Sequence, residues 1–390
     1  MQFIHLVEYQ PTSFPADRFS TSEVQQLWEK YASVLHIDPP TFQNNFSWVL
    51  TPQGWVGHIP IKNKTVLVLE SRVPVLNLFE MLRLVYKLPS FKFIDGLTQI
   101  QTVEGLLELL AIELASRVLN RRRQGIYQEY IEKREAVGVL RGRIDSSWLA
   151  SNPASNKIQC DFVEQTADLP LNQVLAYTLR QIALADVCSP NNLRVVNSAW
   201  RQLPVSMHPF KSDDLESWTY SRLNADYQPM HALCKFFLDI LQPTHTQSES
   251  GSDMLPFLVN MPALYEKYVA AWLGNNLPDG YTFQVQERLE LDASRKRYVE
   301  LDLVIYDEEH KPRIVLDTKY KVGEPTNDDI YQVTFYAREI GCQLAGLVYP
   351  APPTKSLSGR NNDIAYAAYT FSLRDEPEIA GPLFLHQLGL

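Results

Sequence analysis

Short apolar runs alternate with turn residues over the first hundred positions of the chain. Residues 46–50, 55–61 and 65–69 are rich in β-branched and aromatic side chains, and the sequence Thr51-Pro52-Gln53-Gly54 separates the first two runs. Runs of this kind, divided by Pro and Gly, are typical of antiparallel strands joined by tight turns. The pattern therefore predicts a β-rich N-terminal domain over residues 1–95.

From residue 77 onward the apolar positions change to the period of an α-helix. The first of them are Leu78, Met81, Leu82 and Val85. The same period continues beyond residue 103, and residues 171–179 and 231–241 show it most clearly. We therefore expect a helical region over residues 96–242, which is the candidate region for contact with a partner.

The next segment, residues 243–254, is polar and rich in small side chains, which indicates a linker or loop. After it, the pattern runs from a helix at 263–273 through three strand-like stretches to a helix at 328–339 and a final apolar strand. This order predicts a mixed α/β sheet over residues 255–390. The fold class expected for the whole chain is α+β with several domains.

Composition and charge exclude several classes of function. The 390 residues include 45% hydrophobic residues and carry a net charge of -9, as in ordinary globular proteins. The apolar runs are far shorter than the ~20 residues that cross a membrane, and the N-terminus lacks a signal pattern, so we expect a cytoplasmic protein without membrane contact. The four scattered cysteines do not suggest a zinc site.

Neither GxxxxGK[ST] nor GxGxxG occurs, so no nucleotide is expected to bind this chain. The acidic net charge would repel DNA at long range, since proteins that bind DNA unaided usually present a basic surface. Any role on DNA therefore requires local basic patches or a partner.

Two acidic residues stand in apolar strand patterns near the C-terminus. Asp302 lies inside the run 298–306, and Asp317 ends the next run and is followed by Lys319. Residues i and i+2 of a strand share a face, so Asp317 and Lys319 project together. If the two strands pair across the turn at 307–312, two carboxylates about 4 Å apart would repel by about 4 kcal/mol at an effective dielectric of 20.

A divalent cation would remove this repulsion, and oxygen ligands favour Mg²⁺ or Mn²⁺. Such an ion activates water and polarises a phosphate, and a lysine stabilises the charge of the transition state. The pattern predicts phosphodiester hydrolysis with Asp302, Asp317 and Lys319 as catalytic residues. The alternative is a salt bridge on an edge strand.

An acid, a turn and then Asp-x-Lys after three apolar residues resembles the PD-(D/E)xK nucleases, although Leu301 replaces the proline of the motif. Glu266, on the preceding predicted helix, stands where many members have an additional acid, so the resemblance implies Glu266, Asp302 and Asp317 as metal ligands. Gln332 and Tyr336 match the QxxxY element of a subset of these enzymes. The alternatives are a solvated helix residue for Glu266 and capping or core roles for the other two.

Segments spread over most of the chain resemble McrC, the nuclease subunit family of McrBC modification-dependent restriction systems. In the N-terminal part they are Trp55-Val56-Gly57-His58-Ile59, residues 67–73 and Phe79-Glu80-Met81-Leu82. In the middle they are residues 140–145, Cys160-Asp161-Phe162 and residues 168–172, which resemble landmarks of a helical region. Near the end they are residues 264–269, Asp317-Thr318-Lys319-Tyr320 and residues 329–332.

This resemblance implies a DNA endonuclease that binds no nucleotide and docks on a hexameric McrB-like AAA+ GTPase. The nuclease would stimulate GTP hydrolysis and cut double-stranded, methylated DNA with Mg²⁺ or Mn²⁺. The absent nucleotide motifs and the acidic charge agree with this division of labour. Two alternatives stay open: an inert activator of the GTPase with a nuclease-like fold, and an autonomous DNA repair nuclease.

Basic residues concentrate in two places. The longer stretch, residues 117–143, includes several arginines that would contact the GTPase or DNA, or would form a solvated surface. Its candidate contact residues are Arg121, Arg122, Arg123, Arg141 and Arg143. The shorter stretch, Arg295-Lys296-Arg297, lies in a predicted turn near the acidic cluster and would contact phosphate or be an ordinary charged hairpin.

Overall fold

The computed structural model describes residues 2–61, 65–88, 102–185, 187–241, 256–290, 298–321 and 324–390. The chain folds into two compact units. Unit 1 combines a first segment, Met1–Leu106, with a second segment, Pro256–Leu390, and unit 2 is the intervening Leu107–Leu255. The predicted linker at 243–254 lies outside the described residues.

The first segment contains the strands that the apolar runs predict. Its elements are β1 (Gln2–Val7), β2 (Thr12–Pro15), α1 (Thr21–Tyr31), β3 (Leu35–Asp38), β4 (Ser47–Pro52), β5 (Trp55–Ile61), β6 (Thr65–Glu70) and α2 (Val75–Val85). A short 3-10 turn lies at Phe42–Asn44. Ser20 caps the start of helix α1, and its side chain and that of Glu23 bond to each other's backbone N–H groups. The strands predicted at 46–50, 55–61 and 65–69 are confirmed as β4, β5 and β6.

Unit 2 contains both helices and strands. Its elements are α3 (Val103–Gln124, which begins at the end of the first segment), β7 (Glu129–Val137), β8 (Arg143–Ile144), α4 (Ser146–Ser151), β9 (Ile158–Thr166), α5 (Pro170–Leu184), α6 (Pro190–Arg201) and α7 (Gln228–Ile240). Two 3-10 turns lie at Ser212–Leu215 and Ala225–Tyr227. The helices predicted at 171–179 and 231–241 are confirmed as parts of α5 and α7.

The expectation that residues 96–242 are helical is wrong for the part between α3 and α5. There, β7, β9 and β8 form a three-stranded antiparallel sheet in that order. Most residues of its strands are exposed or half-buried, and an ion pair of 2.6 Å between Lys133 Nζ and Glu164 Oε2 links two of the strands. A strand made largely of charged residues lacks the apolar alternation from which a strand is predicted.

The second segment follows the order expected from its sequence. Its elements are β10 (Phe257–Asn260), α8 (Met261–Asn276), β11 (Thr282–Glu290), β12 (Tyr298–Tyr306), β13 (Pro312–Thr318), α9 (Asn327–Glu339), β14 (Leu344–Tyr349), β15 (Ser358–Asn361), β16 (Ile364–Thr370) and α10 (Pro377–Leu388). The predicted helix, three strands, helix and strand correspond to α8, β11 to β13, α9 and β14.

A six-stranded mixed sheet is the centre of this segment, with the order β11-β12-β13-β14-β16-β15. Strands β11, β12 and β13 are antiparallel neighbours, whereas β13, β14 and β16 run parallel. Helix α9 packs on β13, β14 and β16 and buries Val333, Tyr336 and Ala337 against the sheet. The mixed sheet predicted for this region is confirmed.

The two segments of unit 1 share a four-stranded sheet, in the order β1-β6-β5-β10. Strand β10 pairs antiparallel with β5, with Leu258 opposite Gly57. The N-terminal strands were expected to form a domain of their own over residues 1–95. Their sheet is instead completed by a strand about 200 residues later in the chain, a pairing that no local pattern can reveal.

Gly57 is required where these two segments meet. Its φ is +134°, and a Cβ atom there would lie 2.2 Å from the backbone oxygen of Phe257. Only glycine combines this conformation with so close an approach of a second backbone.

Within the described residues, each helix is too short or too polar to cross a lipid bilayer.

Replacing Gly57 by alanine is expected to destabilise unit 1 by about 2 kcal/mol or more, because β10 must move away from β5. Urea unfolding of the full chain measures this change. Gly138→Ala is the matched control, since a Cβ atom at Gly138 meets no atom within 4 Å. Equal stabilities of the two variants would contradict the role of Gly57.

Candidate functional site

Strands β12 and β13 form the hairpin predicted across residues 307–312. Leu303 pairs with Leu316, so Asp302 and Asp317 come next on their two strands. Asp302 is held by its neighbour across the hairpin, because its Oδ2 accepts hydrogen bonds from the backbone N–H of Thr318 at 2.7 Å and from the Thr318 hydroxyl at 3.0 Å. The hairpin therefore brings the two predicted carboxylates side by side.

Lys319 contacts the second of these carboxylates. Its Nζ lies 2.6 Å from Asp317 Oδ2, and the Asp317 side chain is 4% exposed while that of Lys319 is 19% exposed. The backbone N–H of Lys319 donates to the oxygen of Val348 at 2.8 Å, which continues the pairing of β13 with β14 beyond the last residue of the strand. Asp317 and Lys319 thus project to one side, as their spacing predicts.

Helix α9 places Gln332 and Tyr336 beside this pair. Lys319 Nζ donates to Gln332 Oε1 at 3.3 Å, and Gln332 Nε2 donates to the Tyr336 hydroxyl at 2.8 Å. Gln332 and Tyr336 thus join Asp302, Asp317 and Lys319 in one group of side chains, which we call the hairpin cluster. Tyr336 is also part of the buried core, which was the alternative interpretation of this residue. The helical spacing of the two residues therefore serves a hydrogen-bond chain that ends on the lysine.

Asp329 is a member of the cluster that was not predicted from the sequence. Its Oδ2 accepts hydrogen bonds from the backbone N–H of Thr326 at 2.8 Å and from the Thr326 hydroxyl at 2.7 Å. The same oxygen forms an ion pair with Lys321, and Oδ1 lies 3.9 Å from Lys319 Nζ. The signal that would have found it is the capping box, Ser or Thr followed three residues later by an acid, here Thr326 and Asp329.

The burial of charge shifts the protonation of the site. Burial, followed by the nearby charge of Asp302, raises the pKa of Asp317 to about 6, although Lys319 acts in the opposite direction. Burial disfavours the charged form of Lys319, yet the carboxylates of Asp317, Asp329 and Asp302 outweigh it and raise the pKa of this amine. The lysine is therefore a cation at neutral pH, next to a carboxyl group that is easily protonated.

Glu266 lies close enough to the hairpin to sense Asp302. Burial and then the charge of Asp302 raise the pKa of Glu266, and its Oε1 accepts a hydrogen bond of 3.4 Å from Gln286 Nε2. Gln286 itself has a φ of +49° within β11, a left-handed conformation that is unusual for a residue other than glycine. Backbone strain of this kind is often found at functional sites, and here it adjoins the strand that carries Asp302.

The donors present fit a hard divalent cation only in part. In the described residues, no group of three or more His, Cys, Asp or Glu side chains is arranged to hold a metal ion, so the predicted set of Glu266, Asp302 and Asp317 is not preassembled. Two carboxylates do lie together, and the buried Asp317 Oδ2 contacts Lys319 without a well-directed hydrogen bond. Mg²⁺ commonly binds one or two carboxylates and takes its other ligands from water and phosphate, so this pair fits such an ion.

The basic residues predicted as partner or DNA contacts belong to unit 2 or to undescribed positions. Arg121 forms an ion pair with Asp226 and lies over the ring of Tyr227, so it has a structural role. Arg122 donates to the Gln202 oxygen. The segment Arg295-Lys296-Arg297 lies outside the described residues.

The other three candidate contact arginines of unit 2 are exposed. Arg123 and Arg143 are exposed, and Arg141 is exposed while it pairs with Glu164 and lies over the Phe162 ring. None of these residues belongs to the hairpin cluster.

By its fold the chain is a mixed α/β protein. Its β12–β13 hairpin carries two acids and is followed directly by a lysine. Known proteins extend that description. A sequence profile of the family described as "McrBC 5-methylcytosine restriction system component" matches residues 50–350. No curated protein sequence matches the chain at a significant level.

Two solved structures from Thermococcus gammatolerans are similar to the chain. In "Refined half-complex from tetradecameric assembly of Thermococcus gammatolerans McrB AAA+ hexamers with bound McrC", a chain 16% identical aligns with a TM-score of 0.63 over 100% of this chain and 99% of that chain. In the cryo-EM structure of the McrBC complex, a chain 16% identical aligns with a TM-score of 0.47 over 71% of this chain and 89% of that chain. The first alignment shows a shared fold.

Because the family profile covers most of the sequence, the chain belongs to the McrBC 5-methylcytosine restriction system component family. The resemblance to the McrC family of McrBC restriction systems is thereby confirmed.

The raised pKa of Asp317 predicts how stability changes with pH. The folded state holds this proton up to about pH 6, whereas the unfolded chain releases it near 3.8. Folding therefore loses stability as pH rises between these values, and the Asp317 contribution is about 3 kcal/mol at 1.36 kcal/mol per pKa unit. Asp317→Asn should remove this slope.

The measurement is urea unfolding from pH 4 to pH 7 with a chelator present, since a bound cation would mask the effect. The stability of the Asp317→Asn variant relative to the wild type should increase with pH, and Asp363→Asn, an exposed acid between β15 and β16, should run parallel to the wild type. Parallel curves for Asp317→Asn would show that Asp317 has an ordinary pKa.

Proposed function

We propose that this chain is the DNA-cutting, McrC-type subunit of a modification-dependent restriction complex, with a PD-(D/E)xK centre formed by Asp302, Asp317 and Lys319. The observation that carries the proposal is the hairpin that joins the two carboxylates and places Lys319 Nζ 2.6 Å from Asp317 Oδ2. Membership of a restriction-system family supports a reaction on DNA.

Each side chain of the cluster has a role that follows from its contacts. Lys319 supplies a fixed positive charge, directed by Asp317 and Gln332, that stabilises negative charge developing on a phosphate. Two hydrogen bonds from Thr318 to Asp302 Oδ2 fix the orientation of the Asp302 carboxylate, and its Oδ1 would be the oxygen that binds a metal ion. Tyr336 orients Gln332, and Asp329 adds negative charge behind the lysine.

Asp302 and Asp317 would hold Mg²⁺ or Mn²⁺, which supplies a water of lowered pKa and polarises the scissile phosphate. Lys319 contacts Asp317 and partly neutralises its charge. The same amine would supply a compact positive charge to the phosphate of a bound substrate.

The partner of this chain is proposed to be a McrB-type AAA+ GTPase hexamer. The similar Thermococcus gammatolerans structure is described as McrB AAA+ hexamers with bound McrC. The net charge of -9 supports this proposal, because a chain of this charge gains from a partner that captures DNA. Double-stranded DNA carrying methylated cytosine is the proposed substrate, in line with the family description.

Asp317→Ala is expected to reduce cleavage of methylated plasmid DNA at least a thousandfold, while binding to the GTPase and stimulation of GTP hydrolysis stay within about twofold of wild type. The assay contains the full chain, a McrB-type GTPase, GTP and Mg²⁺. Glu309→Ala, an exposed acid in the turn of the same hairpin, is the control and should cut normally.

Retained cleavage by Asp317→Ala would contradict the proposed centre. A wild-type chain that stimulates the GTPase but cuts no DNA would instead favour an inert activator. Cleavage of branched or single-stranded DNA without any GTPase would favour an autonomous nuclease.

A further inference from the structure

The chain makes an abrupt turn directly after β1. Glu8 and Tyr9 leave the strand with their backbone N–H groups bonded to the oxygens of Glu70 at 3.1 Å and Pro52 at 2.9 Å. Tyr9 has a φ of +57°, which is uncommon for a bulky residue. Gly54 leaves room for the Tyr9 hydroxyl, because a Cβ atom at Gly54 would lie 2.3 Å from it.

Both of these N-terminal residues hold the residue that follows Lys319. The Tyr9 hydroxyl donates to the backbone oxygen of Tyr320 at 3.1 Å, and the Tyr320 hydroxyl donates to Glu8 Oε1 at 2.8 Å. Tyr320 is 7% exposed, and its ring packs near Tyr265 of α8. The backbone and the side chain of Tyr320 are therefore fixed by two consecutive residues from the far end of the chain.

Glu8 is an unusual residue for the interior of a β-rich layer. It is fully buried, and Oε1 accepts from the Arg72 N–H at 2.8 Å as well as from Tyr320, whereas Oε2 has no hydrogen-bond partner among the described residues. Burial raises the pKa of Glu8 in spite of these hydrogen bonds. A buried carboxyl group costs folding free energy, and the one side chain that donates a hydrogen bond to it within the described part of the chain is that of Tyr320.

The position of Lys319 depends on contacts of this kind. Strand β13 ends at Thr318, so Lys319 and Tyr320 lie beyond the regular ladder. The Lys319 N–H bond to Val348 fixes one side of this exit. The next fixed point along the chain is Tyr320, one residue away.

We propose that Glu8 and Tyr9 are positioning residues for Lys319, which they orient by clamping Tyr320. The inference rests on the proposed function of Lys319 in DNA cleavage. It connects the N-terminal segment to the cutting centre through Tyr320. Misplacing a catalytic group by about 1 Å can lower a rate by about a hundredfold.

The test compares cleavage by full-length variants with the GTPase, GTP, Mg²⁺ and methylated DNA. Tyr320→Phe and Tyr9→Phe each delete one hydroxyl of the clamp and should lower kcat about tenfold to a hundredfold, with the KM for DNA unchanged within about twofold. Glu8→Leu should behave in the same way. Glu8→Gln keeps an oxygen that accepts from Tyr320 and Arg72, and should restore kcat to within about threefold of wild type.

Tyr31→Phe is the matched control, since Tyr31 is a buried tyrosine of the same segment, on α1, and takes no part in the clamp. Its kcat should equal that of the wild type. Thermal unfolding of each variant identifies any loss of kcat that is caused by global instability. If Glu8→Leu does not fold, Tyr320→Phe is the deciding variant.

A second readout needs neither DNA nor the GTPase. An amine-reactive reagent at one fixed pH should modify Lys319 slowly in the wild type, relative to the exposed Lys311, because the Lys319 amine is held against Asp317. Tyr320→Phe and Tyr9→Phe should raise the ratio of the Lys319 modification rate to the Lys311 modification rate several-fold. If the wild type fails to cut DNA, the proposed function fails while this ratio still tests the clamp.

Unchanged kcat and unchanged Lys319 labelling in Tyr320→Phe and Tyr9→Phe would overturn the inference. A rise in the KM for DNA at constant kcat in the same variants would also overturn it. An equal loss of kcat in Glu8→Gln and Glu8→Leu would do so as well, because the hydrogen bonds that Glu8 accepts would then not explain its effect.

Discussion

The pairing of β12 with β13 is the interaction on which the site depends. It sets Asp302 beside the buried Asp317, and burial together with the charge of Asp302 disfavours the ionised form of Asp317. A protein that only needed a stable sheet would gain from apolar residues at these positions. The repulsion is tolerated because the Lys319 ammonium group, 2.6 Å from Asp317 Oδ2, balances the negative charge.

The rest of unit 1 can be understood as support for that hairpin. The parallel neighbour β14 fixes the backbone at Lys319, and α9 contributes Gln332 and Asp329 from its first turns. The N-terminal segment reaches the same place through Glu8 and Tyr9, while β10 joins the two segments in one sheet. Residues that are hundreds of positions apart therefore act on one lysine.

Sequence patterns predicted the parts of the site that are local. Period-two spacing related Asp317 to Lys319, a turn between two apolar runs predicted the hairpin, and helical spacing joined Gln332 to Tyr336. Each of these relations extends over fewer than twenty residues, and strand or helix geometry fixes it directly. The sequence also carried the resemblance that the family match confirms.

Long-range and polar features escaped prediction. The contact of Tyr320 with Glu8 and the addition of β10 to β5 join segments that no periodicity relates. The sheet of β7, β8 and β9 lies where the sequence predicts helix, because cross-strand ion pairs such as Lys133 with Glu164 replace apolar alternation there. Asp329 was overlooked because a capping acid and an acid of a functional cluster have the same local pattern.

DNA cleavage by the hairpin cluster is tested most directly by single-turnover kinetics. The complex is assembled in advance with the GTPase, GTP and methylated DNA, and the reaction is started with Mg²⁺. Lys319→Met should lower the cleavage rate at least a hundredfold, with DNA and GTPase still bound. Lys311→Met, in the turn of the same hairpin, should cut at the wild-type rate. Equal rates for the two variants would contradict the account.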